Sequence, residues 1–278
     1  MSIAIIFNNK EASTWAEKIK TSYGVEVEVY PNIKDKSVID FLLVWRPHDN
    51  YLEEFPNVKV VHSIGAGVDH MLNSSVNENV YLARIVDHDL KHDMFEHVLS
   101  IVLLENKRLL TYLENQLSHE WKPKRYKSSK NTTITILGVG EIGNYVANKL
   151  VDLGYCVKTW SQSNKENTPF THYFGKEGFL KAILDTNFIV NILPLTKKTV
   201  AIFNKNFFNQ LNSKPVLINV GRGKHIVEKD LVLALQEEHV LKAFIDVFET
   251  EPLPDDHFYW NNNKVFITPH VASVTQAD

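Results

Sequence analysis

Cysteine is nearly absent. Cys156 is the only one in 278 residues, so no disulfide can close within the chain and a reducing, cytoplasmic setting is expected. It lies in the apolar stretch Tyr155-Cys156-Val157 and reads as core filler rather than a nucleophile. No apolar run approaches the ~20 residues that a membrane-spanning helix needs. The opening residues, Met1-Ser2-Ile3-Ala4-Ile5-Ile6-Phe7, lack the basic head and cleavage site of a signal peptide and read as a strand. A charge surplus is also missing. With a net charge of −3 the chain does not have the basic excess of a nucleic-acid binder. The local run Lys122, Lys124, Arg125, Lys127 and Lys130 is extended nowhere else and reads as a solvated loop. There is no internal repeat and no low-complexity segment.

What is present is the composition of an ordinary globular protein, 44% hydrophobic and 23% charged. The length suffices for two domains, each with its own core. The first ninety residues alternate strands (3–7, 25–30, 41–45, 58–63, 81–85) with helical stretches, which implies a parallel sheet covered on both faces. A continuous helical pattern from Leu90 to His119 follows, and a domain boundary inside it gives a substrate domain over 1–92 and a dinucleotide-binding domain over 93–278. The second half repeats strand and helix, with strands at 133–137, 157–160, 188–192, 216–220, 243–246 and 265–268. Its chemically interesting residues fall just past strand ends, where ligands bind in such sheets.

Gly138-Val139-Gly140-Glu141-Ile142-Gly143 has the spacing G-x-G-x-x-G between a strand and a helix. Gly138 permits the tight turn, Gly140 admits a pyrophosphate to the backbone, and Gly143 lets helix and strand pack. The helix N-terminus adds unpaired N–H groups and positive dipole. At the end of the next strand, where a carboxylate would hold the ribose of NAD, the chain reads Ser161-Gln162-Ser163-Asn164-Lys165. Hydroxyls, an amide and Lys165 accept a 2′-phosphate without repulsion, so NADP(H) is favoured over NAD(H).

Three later segments carry a resemblance. Val220-Gly221-Arg222-Gly223, the run from Asp246 to Pro254 containing Glu251-Pro252, and Thr268-Pro269-His270-Val271-Ala272 resemble, in order and spacing, signatures of the D-isomer-specific 2-hydroxyacid dehydrogenases. Val44-Trp45-Arg46-Pro47 and the serine-rich turn after Trp160 look most like the glyoxylate/hydroxypyruvate reductase branch. The resemblance implies an α/β fold of two doubly wound parallel-sheet domains, a flavodoxin-like substrate domain and a Rossmann cofactor domain. It implies hydride transfer from NAD(P)H to a small 2-keto acid, giving a D-2-hydroxy acid.

Residue chemistry agrees with that implication. Reduction of a 2-keto acid needs a cation for the carboxylate and a proton for the carbonyl oxygen. The planar fork of Arg222 suits the first task. An imidazole suits the second, and His270 is singled out by Glu251, whose carboxylate would hold its other ring nitrogen and favour the charged form. By resemblance, Asp246 would orient the nicotinamide carboxamide, and Leu193, Pro194 and Thr199 would line the cofactor. The loop Gly65-Ala66-Gly67 would meet the substrate carboxylate, with Trp45 as a flat wall limiting substrate size. His88, His92 and Glu96 share a helical spacing but read as a polar hinge surface rather than a metal site. Family members are usually dimers built through the cofactor domain, so a homodimer is expected.

Two departures stand out. The family continues beyond the position of Asp278 with a segment that returns to the first domain, so the return segment is expected to be missing here. The reductase branch commonly has arginine where Gln162 stands. The alternative reading is a nucleotide-sensing binding protein, such as the corepressors that share this fold. A methyltransferase using the glycine loop would leave the three later motifs unexplained.

Overall fold

The computed structural model describes residues 2–7, 12–65, 67–71 and 79–273. The chain divides into two compact units, Met1–Val86 and Asp87–Asp278. The division falls just ahead of the helix that begins at His88, whereas sequence patterning put it after residue 92, inside that helix.

The first unit contains β1 (Ile3–Phe7), α1 (Ala12–Tyr23), β2 (Val27–Val29), β3 (Phe41–Trp45), β4 (Val60–Ser63) and β5 (Tyr81–Arg84). The strands lie in the order β2-β1-β3-β4-β5, every neighbouring pair parallel. This is the flavodoxin-like doubly wound order. Four successive residues of β1, from Ile3 to Ile6, are buried, as a parallel strand covered on both faces requires. In β3 only Leu42 and Val44 are buried, and they join Ile6, Tyr51, Phe55, Val61 and Met71 in one core.

The second unit opens with α2 (His88–Asn106) and α3 (Leu109–Leu117), then β6 (Thr133–Leu137), α4 (Glu141–Asp152), β7 (Cys156–Ser161) and β8 (Thr171–Phe174). It continues with α5 (Gly175–Ile183), β9 (Phe188–Asn191), α6 (Lys205–Asn209), β10 (Val216–Asn219), α7 (Glu228–Gln236), β11 (Lys242–Ile245) and β12 (Val265–Ile267). The sheet order is β12-β11-β10-β9-β6-β7-β8, all parallel. Strand order reverses between β6 and β9, so the crevice at their carboxyl ends is the topological switch point where this architecture binds ligands. Both β9 and β10 are buried along their whole length, with one apolar cluster on each face of the sheet.

Three local expectations are corrected. The single helix expected from 90 to 119 is two, because Arg108 takes a left-handed backbone (φ 57) that no right-handed helix can continue through. Arg108 Nε donates to the Arg125 carbonyl at 3.1 Å, and the Tyr112 hydroxyl bonds Lys124, so the basic loop is tied to α3. Cys156 is exposed rather than core filler. It opens β7 at the solvent end, where its thiol donates to the Lys130 carbonyl at 3.1 Å. The elements β8 and α5 were not foreseen, because β8 is a short edge strand without apolar alternation.

Candidate active site

The glycine loop lies at the switch point. Gly138 has φ +104, a conformation strained for any side chain. A Cβ on Gly143 would sit 1.8 Å from the Gly138 carbonyl oxygen, so the helix crosses its own loop at backbone contact. Helix α4 begins at Glu141, immediately after its N-cap Gly140. Glu141 and Ile142 therefore occupy its first turn. Nothing approaches the Cβ direction of Gly140 within 4 Å, so the backbone at the helix N-terminus is open on that side to an incoming group. The residues fit a dinucleotide pyrophosphate.

Past the end of β7, the Ser161 hydroxyl donates to the Ser163 carbonyl at 2.7 Å. His172 on β8 buttresses the turn, with Nδ1 2.8 Å from the Thr159 hydroxyl and Nε2 3.3 Å from the Ser163 carbonyl. Gln162, Ser163 and Lys165 are exposed. The buttressing histidine was not foreseen, since it lies on the unanticipated strand.

Past β9, the Asn191 Oδ1 accepts the Leu193 N–H at 3.2 Å. The Thr199 hydroxyl donates to the Pro194 carbonyl at 2.7 Å and accepts the Thr196 N–H at 2.8 Å, which closes the 194–199 loop. Leu193 is buried and Pro194 exposed.

Arg222 follows β10 in a half-buried turn, with Nη1 donating to the Gly221 carbonyl at 2.7 Å. A Cβ on Gly223 would sit 1.9 Å from the Phe248 carbonyl carbon. The Arg222 turn thus lies in backbone contact with the segment that leads from β11 to Glu251. Beneath it are two fully buried asparagines, Asn191 and Asn219, paired in register at the ends of β9 and β10 and joined from Asn191 Nδ2 to Asn219 Oδ1 at 2.8 Å.

Glu251 and His270 meet. His270 Nδ1 is 2.9 Å from Glu251 Oε2, with the imidazole 40% and the carboxylate 21% exposed. The other carboxylate oxygen accepts the Phe248 N–H at 3.1 Å, which fixes its direction. His270 sits at φ 55, a left-handed conformation costing about 1 kcal/mol for a residue with a Cβ. Its N–H donates to the Asp246 carbonyl at 2.8 Å. The Asp246 side chain, 2% exposed, does more than its sequence position suggested. Oδ1 accepts the Thr268 hydroxyl at 2.6 Å and the Val271 N–H at 2.9 Å, while Oδ2 accepts the Ala272 N–H at 3.0 Å. One carboxylate therefore shapes the whole turn that presents His270. Three of its roughly four lone-pair sites are taken. Burial pulls the imidazole of His97 on α2 below its ordinary value, against the opposing pull of Asp246.

In the first unit, the hydroxyl of the fully buried Ser63 organises the turn after β4. It lies 2.9 and 3.0 Å from the carbonyls of Gly65 and Gly67 and accepts the Gly65 N–H at 3.1 Å. The half-buried Trp45 ring rests against Gly65 and meets His70 edge-on at 4.9 Å. Ala66 lies outside the described residues. On α2, His92 bonds the Tyr145 hydroxyl at 3.2 Å and pairs with Glu96 at 3.2 Å. Among the described residues no group of three or more His, Cys, Asp or Glu side chains is arranged to hold a metal ion.

The residues that sequence reasoning missed are Asn191, Asn219, His225, Thr268 and His172. A signal existed for two of them. Phe-Ile-Val-Asn in β9 and Val-Leu-Ile-Asn in β10 place the same amide after three apolar residues.

Comparison with known proteins agrees with this geometry. Residues 99–272 match the family profile described as D-isomer specific 2-hydroxyacid dehydrogenase, NAD binding domain. Glyoxylate/hydroxypyruvate reductase A of Yersinia enterocolitica is 36% identical over 247 residues, covering 87% of this chain and 79% of that protein. The enzyme of the same name from Serratia proteamaculans is 37% identical over the same shares. The solved NADPH-dependent glyoxylate/hydroxypyruvate reductase from Sinorhizobium meliloti, in complex with NADP and sulfate, superposes with a TM-score of 0.87 at 33% identity, over 99% of this chain and 90% of that one. A D-isomer specific 2-hydroxyacid dehydrogenase from Xanthobacter autotrophicus Py2, in complex with NADPH and MES, gives 0.90 at 27% identity, over 99% and 89%. The chain belongs to the D-isomer specific 2-hydroxyacid dehydrogenase family.

Proposed function

We propose that this protein is an NADPH-dependent reductase of small 2-keto acids of the glyoxylate and hydroxypyruvate type, yielding D-2-hydroxy acids. The observation that carries the reading is the 2.9 Å contact between His270 and Glu251 in the unit that also holds the glycine loop. An oriented acid beside a cofactor cradle supports turnover over nucleotide sensing alone. The activities and bound cofactors named for the similar reductases point the same way.

Gly138, Gly140, Glu141, Ile142 and Gly143 would hold the pyrophosphate. Ser161, Gln162, Ser163 and Lys165 would face the adenine-ribose 2′-phosphate, with Leu193, Pro194, Thr199 and Asp246 along the nicotinamide side. When bound, NADPH supplies a hydride to C2 of the keto acid. The chain supplies the rest. The Arg222 guanidinium binds the carboxylate and polarises the keto oxygen. With Nδ1 directed at Glu251, His270 Nε2 is left to give a proton to that oxygen, and the Glu251 carboxylate orients the ring. In the first unit, Trp45, Gly65, Ala66 and Gly67 are assigned to the substrate's acid end. The division of labour corresponds to a substrate domain and a cofactor domain.

The test is oxidation of NADPH and NADH against a panel of 2-keto acids, wild type beside His270→Ala. Glyoxylate-dependent NADPH oxidation that falls by about a hundredfold or more in the variant is expected, in line with loss of a general acid. Equal rates in both proteins would refute the assignment.

We also infer a homodimer. Leu109, Leu113 and Leu117 on α3 and the nearby Trp121 are exposed, the last two by 85% and 96%, an apolar stripe that calls for a partner. Sedimentation of the wild type beside a Leu117→Lys/Trp121→Lys variant checks this. A reducing cytoplasmic setting accords with the single thiol, and cell fractionation tests it.

A further inference from the structure

The network below Arg222 converges on His225, a completely buried imidazole with no part in the proton transfer described above. Its partners assign both ring nitrogens. Nδ1 lies 3.2 Å from the Arg222 backbone N–H, which can only donate. It also lies 2.8 Å from Asn191 Nδ2, and that amide is oriented with its NH2 toward the ring because its oxygen accepts the Leu193 N–H. Nδ1 therefore accepts and carries no hydrogen. Nε2 lies 3.3 Å from the Pro194 carbonyl, which can only accept, so the ring hydrogen is there. The ring is neutral and held in one tautomer.

Its placement ties two functional segments together. On one side is the turn that carries Arg222, whose carbonyl is held by Asn219 Nδ2 at 3.1 Å and whose N–H is held by His225. On the other side is the 194–199 loop, whose Pro194 carbonyl also receives the Thr199 hydroxyl. We propose that His225 is a positioning residue that couples the substrate-anchoring turn at Arg222 to the cofactor-lining loop at Pro194 through the two nitrogens of one neutral ring. This rests on the reductase reading for the roles of the two segments.

Two substitutions separate the two bonds. His225→Asn retains an acceptor near Nδ1 and has nothing at the Nε2 position. His225→Gln retains an N–H donor near Nε2 and has no acceptor at Nδ1. NADPH affinity is read from nucleotide fluorescence. Carboxylate affinity is read from calorimetric binding of oxalate to the protein–NADPH complex. Neither measurement requires turnover. His225→Gln is expected to keep NADPH affinity and to weaken oxalate about tenfold, the loss of one buried hydrogen bond. His225→Asn is expected to weaken NADPH about tenfold, with a smaller relative change for oxalate. The unequal split is the signature, and a role in folding alone would not produce it. Each variant carries its own split, so one that folds, as judged by circular dichroism, is sufficient. Equal weakening of both ligands, or no weakening of either, overturns the proposal. A wild type that binds both ligands yet reduces no keto acid sinks the reductase reading while the split still decides the coupling.

Discussion

Asp246→Asn is the substitution whose effect can be worked furthest from the structure. The wild-type carboxylate accepts three hydrogen bonds from the turn 268–272, two on Oδ1 and one on Oδ2, with the side chain 2% exposed. An amide has one oxygen. Placed at the Oδ1 position, it keeps the Thr268 hydroxyl and the Val271 N–H and turns its NH2 against the Ala272 N–H. The opposite orientation loses two donors, so the first is adopted. The net loss is one buried, charge-assisted bond and a donor facing a donor, costing about 2–3 kcal/mol. The backbone bond from His270 to the Asp246 carbonyl survives, so the turn loosens without being abolished. A kcat lowered by about tenfold to a hundredfold follows, because the acid must stand within hydrogen-bond reach of the keto oxygen. Urea unfolding and steady-state reduction of glyoxylate measure both effects. Thr268→Val removes one donor without changing charge and is expected to cost about 1 kcal/mol. Should Asp246→Asn unfold within about 0.5 kcal/mol of wild type and keep its kcat, the turn is held by something other than this carboxylate, and the account of His270 fails.

Gly143→Ala is expected to abolish NADPH binding and lower stability by about 2 kcal/mol or more, since the added methyl carbon falls 1.8 Å from a backbone oxygen; fluorescence titration and thermal melting read the two outcomes. The pH dependence of stability should carry a contribution from His97. Burial disfavours the cation and holds its folded value below the ordinary histidine range, so the unfolded chain binds more protons below about 6.5. Stability is therefore full above that pH and falls as the pH drops toward the folded value. His97→Gln should flatten this slope in urea titrations between pH 5 and 7, and an unchanged slope would remove His97 from the account.

Much of the fold was legible because parallel strands buried on both faces appear as unbroken apolar runs. The segment 3–7 coincides with β1 for that reason, while 41–45 and 133–137 coincide with β3 and β6 because their β-branched and aromatic residues favour strands. The edge strand β8 has no such run, and so was not found. The break at Arg108 was invisible because the apolar spacing continues on both sides of it, and only a backbone angle records the interruption. Arg222, Glu251 and His270 stood out through recognisable motifs flanked by glycine and proline. The groups beneath them did not. Asn191, Asn219 and His225 are ordinary polar residues, and their importance arises from strand register and a ring tautomer, which only coordinates reveal. Asp246 shows the limit in another way, since nothing in the sequence announced the three short bonds it makes to its own chain.

The exposed thiol at the start of β7 gives the protein a built-in chemical handle. Strand β7 is six residues long, so its solvent end lies about 17 Å from the Ser161 end that faces the nucleotide turn. Cys156 being the sole cysteine, a maleimide dye would attach at one defined atom without any prior mutagenesis. A probe there would stand at the opposite end of β7 from the turn proposed to face the 2′-phosphate.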